Sequence, residues 1–247
     1  MTYPMRERIL LKISGEALGG KGGVSYDPLF VQTLIFDIGR VYESGVDIAI
    51  VVGAGNIFRG KQGEGLGIYS ASSDYMGMLG TIMNGIVLRD LFHRSGLPCI
   101  LMSSLACPSV CDVFSSGKAK DVLDARKILI CVGGTGCPYF TTDTASVVMA
   151  SSLNCSVLMK GTKFSGIFSK DPAKFPDAEH LDRVSYEQAL IERLNVMDMT
   201  AFEIAQKEKL PIVVFSLFEP NPVSSVLAKT CQFTIVDDKE NQRTASC

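Results

Sequence analysis

The chain has 247 residues, 47% of them hydrophobic, and a formal net charge of −2 at neutral pH. That length supports a sizeable core, as one large α/β domain or two tightly joined lobes. The balance of charge argues against binding nucleic acid through a basic surface, and no apolar run of about 18 residues suggests a membrane span.

Apolar runs then alternate with amphipathic segments along the chain. The start "MTYPMRER" is charged, with no apolar stretch after it, and reads as no signal peptide. Residues 8–14 read as a strand. Residues 27–44 read as a helix, with Asp27 able to cap it, Pro28 in its first turn, and Phe30, Leu34, Ile38 and Val41 on one face. A nearly continuous apolar strand over 46–53 is followed by a long helix, rich in Met and Leu, over 72–94. A strand at 98–104, a helix at 117–126, a strand at 127–134 and a helix at 142–153 come next. The strand 155–160 precedes an expected hairpin over 163–171 and short helices at 185–193 and 199–208. A strand at 211–216, a helix at 222–229 and a strand at 232–236 complete the pattern, and the polar tail 237–247 is expected to fray. Continuous apolar strands between amphipathic helices predict a three-layer α/β/α sandwich around a mostly parallel central sheet.

Eight cysteines invite a disulfide reading, but several lie in apolar strand-like runs and no C-x-x-C occurs. Reduced thiols in a cytoplasmic protein fit better. The two histidines, His93 and His180, are far apart, which argues against a zinc site.

Ligands of open parallel sheets bind beyond the carboxyl ends of the strands. Here those ends carry "LLKISGEAL", "VVGAGNIFRG", "CVGGTGCPYFTTDTA" and "MKGTKFSG". Gly53-Ala54-Gly55 lets a ligand approach the backbone closely, and Arg59 follows it. Glycines at four strand ends, with lysines at two of them, point to a site that handles phosphate twice. No P-loop pattern, dinucleotide fingerprint or nucleophile elbow is present.

Taken together, "ILLKISGEAL", "VVGAGNIFRG", "SDYMGMLGTIMNGIVLRD", "GTGCPYFTTDTA", "MKGTKFSGIFSKDP" and "VMDMTAFEIAQKEKLPIVVF" resemble the bacterial UMP kinases of the amino acid kinase family, in order from about residue 8 to residue 236. The resemblance implies one amino acid kinase domain over 1–247, with an acceptor half of about 1–155 and an ATP half of about 156–247. It implies transfer of the γ-phosphoryl group of ATP to UMP, in pyrimidine nucleotide biosynthesis, by a cytoplasmic homohexamer. Mg2+ would be carried by the ATP phosphates, with no residue of the chain assigned to hold metal. A phosphate nucleophile already ionised near pH 7 needs no general base, so lysines, an arginine and backbone amides suffice.

The implied catalytic set is Lys12, Arg59, Asp143 and Lys160. ATP would meet Lys12, Ile13, Ser14, Gly15, Gly55, Arg59, Thr162, Phe168 and Asp171, with Phe168 packing on adenine and Asp171 taking a ribose hydroxyl. UMP would meet Ala54, Asp74, Thr135, Gly136, Cys137, Pro138, Tyr139, Phe140, Thr141 and Thr142. Plainer roles stand beside these: Lys12 reaching solvent from its strand, Asp143 as a helix-start acid, Asp74 as a helix N-cap, and Phe168 as hairpin core. Met76, Met78 and Met83 suit core or a subunit contact rather than a ligand.

Three positions depart from the family pattern: Ala54 where a third glycine is usual, Cys137 for asparagine, and Ser165 for aspartate. The loop 20–25 occupies the place where many members bind a regulatory GTP, but it matches loosely and GTP regulation is not expected from it. Two rival functions stay open: a kinase of a carboxylate or carbamate, and a nucleotide sensor without turnover.

Overall fold

The computed structural model describes residues 7–20, 25–60, 65–194 and 196–238. Most of the loop 20–25 and most of the polar tail therefore lie outside the described residues.

β1 (Arg8–Ile13) leads into a single turn of helix, α1 (Gly15–Leu18), and then into α2 (Pro28–Glu43). Asp27 caps α2, its Oδ1 accepting from the amides of Leu29 and Phe30 at 3.0 and 3.1 Å. β2 (Asp47–Val52) is buried along its whole length, and α3 (Ser70–Arg94) follows it. β3 (Cys99–Ser103), β4 (Asp112–Val113), α4 (Ser116–Asp124), β5 (Ile128–Val132) and α5 (Thr142–Ser152) complete the first stretch. Then come β6 (Val157–Thr162), β7 (Ile167–Phe168), β8 (His180–Leu181), β9 (Arg183–Val184), α6 (Tyr186–Ile191) and α7 (Met199–Glu208). β10 (Ile212–Ser216), α8 (Pro222–Leu227) and β11 (Phe233–Val236) follow.

Nine strands form the central sheet in the order β4-β3-β5-β2-β1-β6-β10-β11-β9. Every pairing in it is parallel except β10 with β11. The predicted sandwich is the observed one, because strands covered on both faces must be apolar throughout. Along β1, Ile9, Leu11 and Ile13 join the core shared with α2 and α3, whereas Leu10 joins the core of Val147 and Phe202 on the opposite face. Period-two alternation therefore turns Lys12 toward α5.

The hairpin expected over 163–171 does not form by itself. β7 pairs antiparallel with β8, so Phe168 faces His180 across a long excursion. The strand found its partner farther along the chain, Ile167 pairing with Leu181. The short strands β4 and β9 and the single turn α1 carried no periodic signal long enough to read. The seven described cysteines are all free thiols. No helix among the described residues is long and apolar enough to cross a membrane.

Candidate active site

Register creates the centre of the site. Parallel pairing of β1 with β6 sets Lys12 directly beside Lys160. Two ammonium groups on adjacent strands repel unless an anion lies between them. Asp143, in the first turn of α5, supplies it: Lys12 Nζ lies 2.9 Å from Oδ1, and Lys160 Nζ lies 2.5 Å from Oδ2. Burial opposes charge on Asp143, but the two lysines outweigh burial and hold its carboxyl below the usual carboxylate range. Burial, reinforced by Lys12, pulls Lys160 down to about 8 against the opposing pull of Asp143. Lys160 also donates to the carbonyl of Val196.

Glycines interlock the ends of β1 and β2. A Cβ at Gly15 would come within 2.5 Å of the Gly53 carbonyl and 2.6 Å of the Gly55 amide nitrogen. Backbone approaches backbone here so closely that no side chain fits at position 15. The chain then makes one helical turn, with the Ile57 and Phe58 amides donating to the Ala54 carbonyl at 2.8 and 2.9 Å. Ala54, the departure from the glycine pattern, seats its methyl against Gly80 of α3, where an added Cβ would lie 2.9 Å away.

Two cavities flank this centre. One, of about 280 Å³, is walled by Ala54, Gly55, Arg59, Asp74, Phe140, Thr141 and Thr142 among others. It opens on the N-terminus of α5, an end suited to an anion. The other, of about 930 Å³, is lined by Lys12, Ser14, Lys160 and Thr162, together with Glu16, Lys163, Phe164, Ser216, Phe218 and Glu219. Arg59, in the wall of the first, pairs at 3.2 Å with Glu16, in the wall of the second.

Asp74 does not cap a helix. α3 begins at Ser70, so Asp74 lies inside it, and its Oδ2 accepts from the Tyr139 amide at 2.8 Å. Thr141 is the cap of α5, accepting from the amides of Asp143 and Thr144 at 3.0 and 3.3 Å. Thr135, Gly136, Cys137, Pro138 and Tyr139 are not among the cavity-wall residues. Thr135 and Cys137 close a small turn on each other instead. Ile13 is buried in the sheet core. Phe168 packs edge-on against His180 with centroids 5.2 Å apart, and Asp171 accepts from the Ala173 amide at 3.0 Å; neither lines the larger cavity. Ser165 donates to Gln232 at 3.1 Å. The methionines divide: Met78 is buried against the smaller cavity, whereas Met76 and Met83 are exposed on α3 beside Tyr75 and Leu79.

Sequence reasoning assigned no role to Asp198. It caps α7 by accepting from the Ala201 amide at 2.9 Å, and it also accepts from Thr144 Oγ1 at 2.9 Å and from the Thr141 hydroxyl. It thus ties the starts of two helices together beside Lys160. Its signal was an aspartate just before an amphipathic run.

This sheet, with paired strand-end lysines held by an aspartate between two cavities, suits a protein that transfers phosphoryl groups. The model of the amino acid kinase family matches residues 7–216, and the chain belongs to that family. More particularly, it is 40% identical to the uridylate kinase of Roseobacter denitrificans over 94% of this chain and 96% of that one. It is 37% identical to the uridylate kinase of Actinobacillus pleuropneumoniae over 96% of this chain and 100% of that one. The crystal structure of UMP kinase from Ureaplasma parvum superposes with a TM-score of 0.91 at 30% identity, covering 95% of this chain and 100% of that one.

Proposed function

We propose that the protein phosphorylates UMP with ATP, giving UDP and ADP. Full-length similarity to uridylate kinases supports this reading, and the observation that carries it is the Lys12–Asp143–Lys160 cluster between two cavities. The larger cavity takes ATP and the smaller takes UMP. The acceptor half runs over about 1–155 and the ATP half over about 156–247.

The second ionisation of a phosphate monoester lies at about 6, so the UMP phosphate is largely dianionic at neutral pH. Its oxygen attacks the γ-phosphorus, the bond to the bridging β-γ oxygen breaks, and ADP leaves with that electron pair. No proton has to be removed first. The protein's task is to align two polyanions and to spread cationic charge over the group in flight. Lys12 and Lys160 supply that charge on the ATP side, Asp143 keeps them in register, and Arg59 spans the two phosphates once it exchanges Glu16 for them. Asp74 accepts from the ribose hydroxyls of UMP, Phe140 meets the uracil, and the Thr141–Thr142 helix start meets the acceptor phosphate. Ser14, Gly15, Gly55 and Thr162 border the ATP phosphates, whereas Phe168 and Asp171, outside the wall of the larger cavity, take no part in this assignment.

Mg2+ rides on the ATP phosphates. Asp143, engaged by two ammonium groups, is spoken for as their counter-ion. The protein works in the cytoplasm as a homohexamer, with the exposed Tyr75, Met76, Leu79 and Met83 face of α3 as a contact between copies. A coupled ADP-release assay over UMP, CMP, TMP, carbamate and glutamate tests the reading. Turnover with UMP alone or far above the others is expected; turnover with carbamate or glutamate, or with none, would overturn it.

A further inference from the structure

One face of α3 packs against the strand ends beside the smaller cavity, and its Thr81 lines that cavity. On α3, positions 80, 81, 84 and 85 share a face. Gly80 receives the Ala54 methyl, and Gly85 lies so near the sheet that a Cβ would meet Leu101 and Val132 at 2.7 Å. Thr81 Oγ1 accepts from the Gly133 amide at 2.7 Å. Asn84 is fully buried in mid-helix and makes four hydrogen bonds. Its Nδ2 donates to the Gly53 carbonyl at 2.7 Å and to Asn56 Oδ1 at 2.8 Å. Its Oδ1 accepts from Asn56 Nδ2 at 3.1 Å and from the Tyr26 hydroxyl at 2.8 Å. Asn56 Nδ2 donates in turn to the Ser25 carbonyl at 2.7 Å.

Every donor and acceptor of the Asn84 amide is therefore used. Its orientation is determined by chemistry rather than by fit: the Gly53 and Ser25 carbonyls only accept, so each asparagine must turn its nitrogen toward one of them. A leucine would fill the same space without needing partners, and a buried amide is retained only where all its partners exist. Two of those partners are the first residue of the Gly53-Ala54-Gly55 turn and the residue directly after it; the third is Tyr26, just before α2. We propose that Asn84 is a positioning residue for the acceptor nucleotide, acting through Asn56 and the Gly53 carbonyl to hold the turn against which UMP lies. The inference rests on assigning the smaller cavity to UMP.

The test is steady-state kinetics on the full chain with UMP and ATP varied separately, together with the shift in Tm produced by each nucleotide alone. Asn84→Asp keeps the acceptor for Tyr26 but, with one donor at most, loses at least one of the two Nδ2 donations to Gly53 and Asn56. It should raise KM for UMP by about tenfold or more, the scale of one lost or misplaced buried hydrogen bond. KM for ATP should stay within about twofold, and UMP, but not ATP, should lose its Tm shift. Should Asn84→Asp fail to fold, Asn56→Ala carries the test, because Asn56 is only half-buried and its removal breaks the same amide pair. A lower Tm with both KM values unchanged, or equal rises in both, would make Asn84 structural and overturn the inference. A parent chain that does not turn over UMP would instead overturn the functional reading.

Discussion

Replacing Asp143 by asparagine separates the catalytic from the structural weight of the lysine cluster. The substitution keeps the shape of the side chain and leaves Lys12 and Lys160 opposed in register, with side-chain exposures of only 12% and 6%. Removing one partner of a buried ion pair ordinarily costs about 3–5 kcal/mol. Lys160 has an easier escape, since burial and Lys12 already pull it down to about 8. Releasing its proton one pH unit below that value costs about 1.4 kcal/mol, and less once Asp143 no longer favours the charge. The stability loss at pH 7 should therefore stay near 1–2 kcal/mol, roughly half the usual figure or less. On the proposed mechanism the catalytic loss has no such limit, because a neutral Lys160 would no longer stabilise the transferring group; a fall in kcat of about 10²- to 10³-fold is expected.

The pH dependence gives an independent check. In the parent chain the folded value of Lys160, about 8, lies below its unfolded value of 10.5. Between the two, the unfolded chain binds more protons, so this group makes stability rise with pH across that window. Activity moves the opposite way, falling as pH rises through about 8 and the ammonium is lost. In Asp143→Asn the fall in activity should shift to lower pH. Denaturant unfolding and initial rates over pH 6–9.5 measure both quantities. A kcat within about threefold of the parent, or an alkaline limb that does not move, would refute the reasoning.

Arg59→Ala should lower both kcat and kcat/KM, and Arg59→Lys should recover only part of the loss, because the charge returns without the planar fork; a silent alanine variant at fixed ionic strength would remove Arg59 from the reaction. If Asp74 takes the ribose hydroxyls as proposed, Asp74→Asn should raise KM for UMP far more than KM for ATP, since asparagine can still accept from the Tyr139 amide while the carboxylate charge is lost; equal effects would mean a general loosening of the site. Gly80→Ala should cost about 1–3 kcal/mol by overpacking against Ala54, and adding Ala54→Gly to it should restore most of that loss. Thermal unfolding of the two single variants and the double variant decides this, and strict additivity would contradict the contact.

Local chemistry was legible wherever near neighbours decide it. Asp27 before Pro28, apolar runs such as "VDIAIVV", and glycines at strand ends announced a helix start, buried strands and close backbone approaches, because capping, periodicity and backbone freedom act within a few residues. The lysines that end up at the centre stood out for the same reason, as cations at the ends of apolar strands. What the string could not reveal depends on partners far apart along the chain. Pairing of Lys12 with Lys160, and the insertion of Asp143 between them, follow from strand register. Pairing of Ile167 with Leu181 replaced a local hairpin. Asp198 drew no notice in the sequence, yet folding carried it to Thr141 and Thr144, and Asn84, equally unremarked, meets Gly53, Asn56 and Tyr26. Burial and pairing are set by which surfaces meet. A sequence records the period of each surface but not its partner, so the elements were decided locally and the site only when the sheet closed its register.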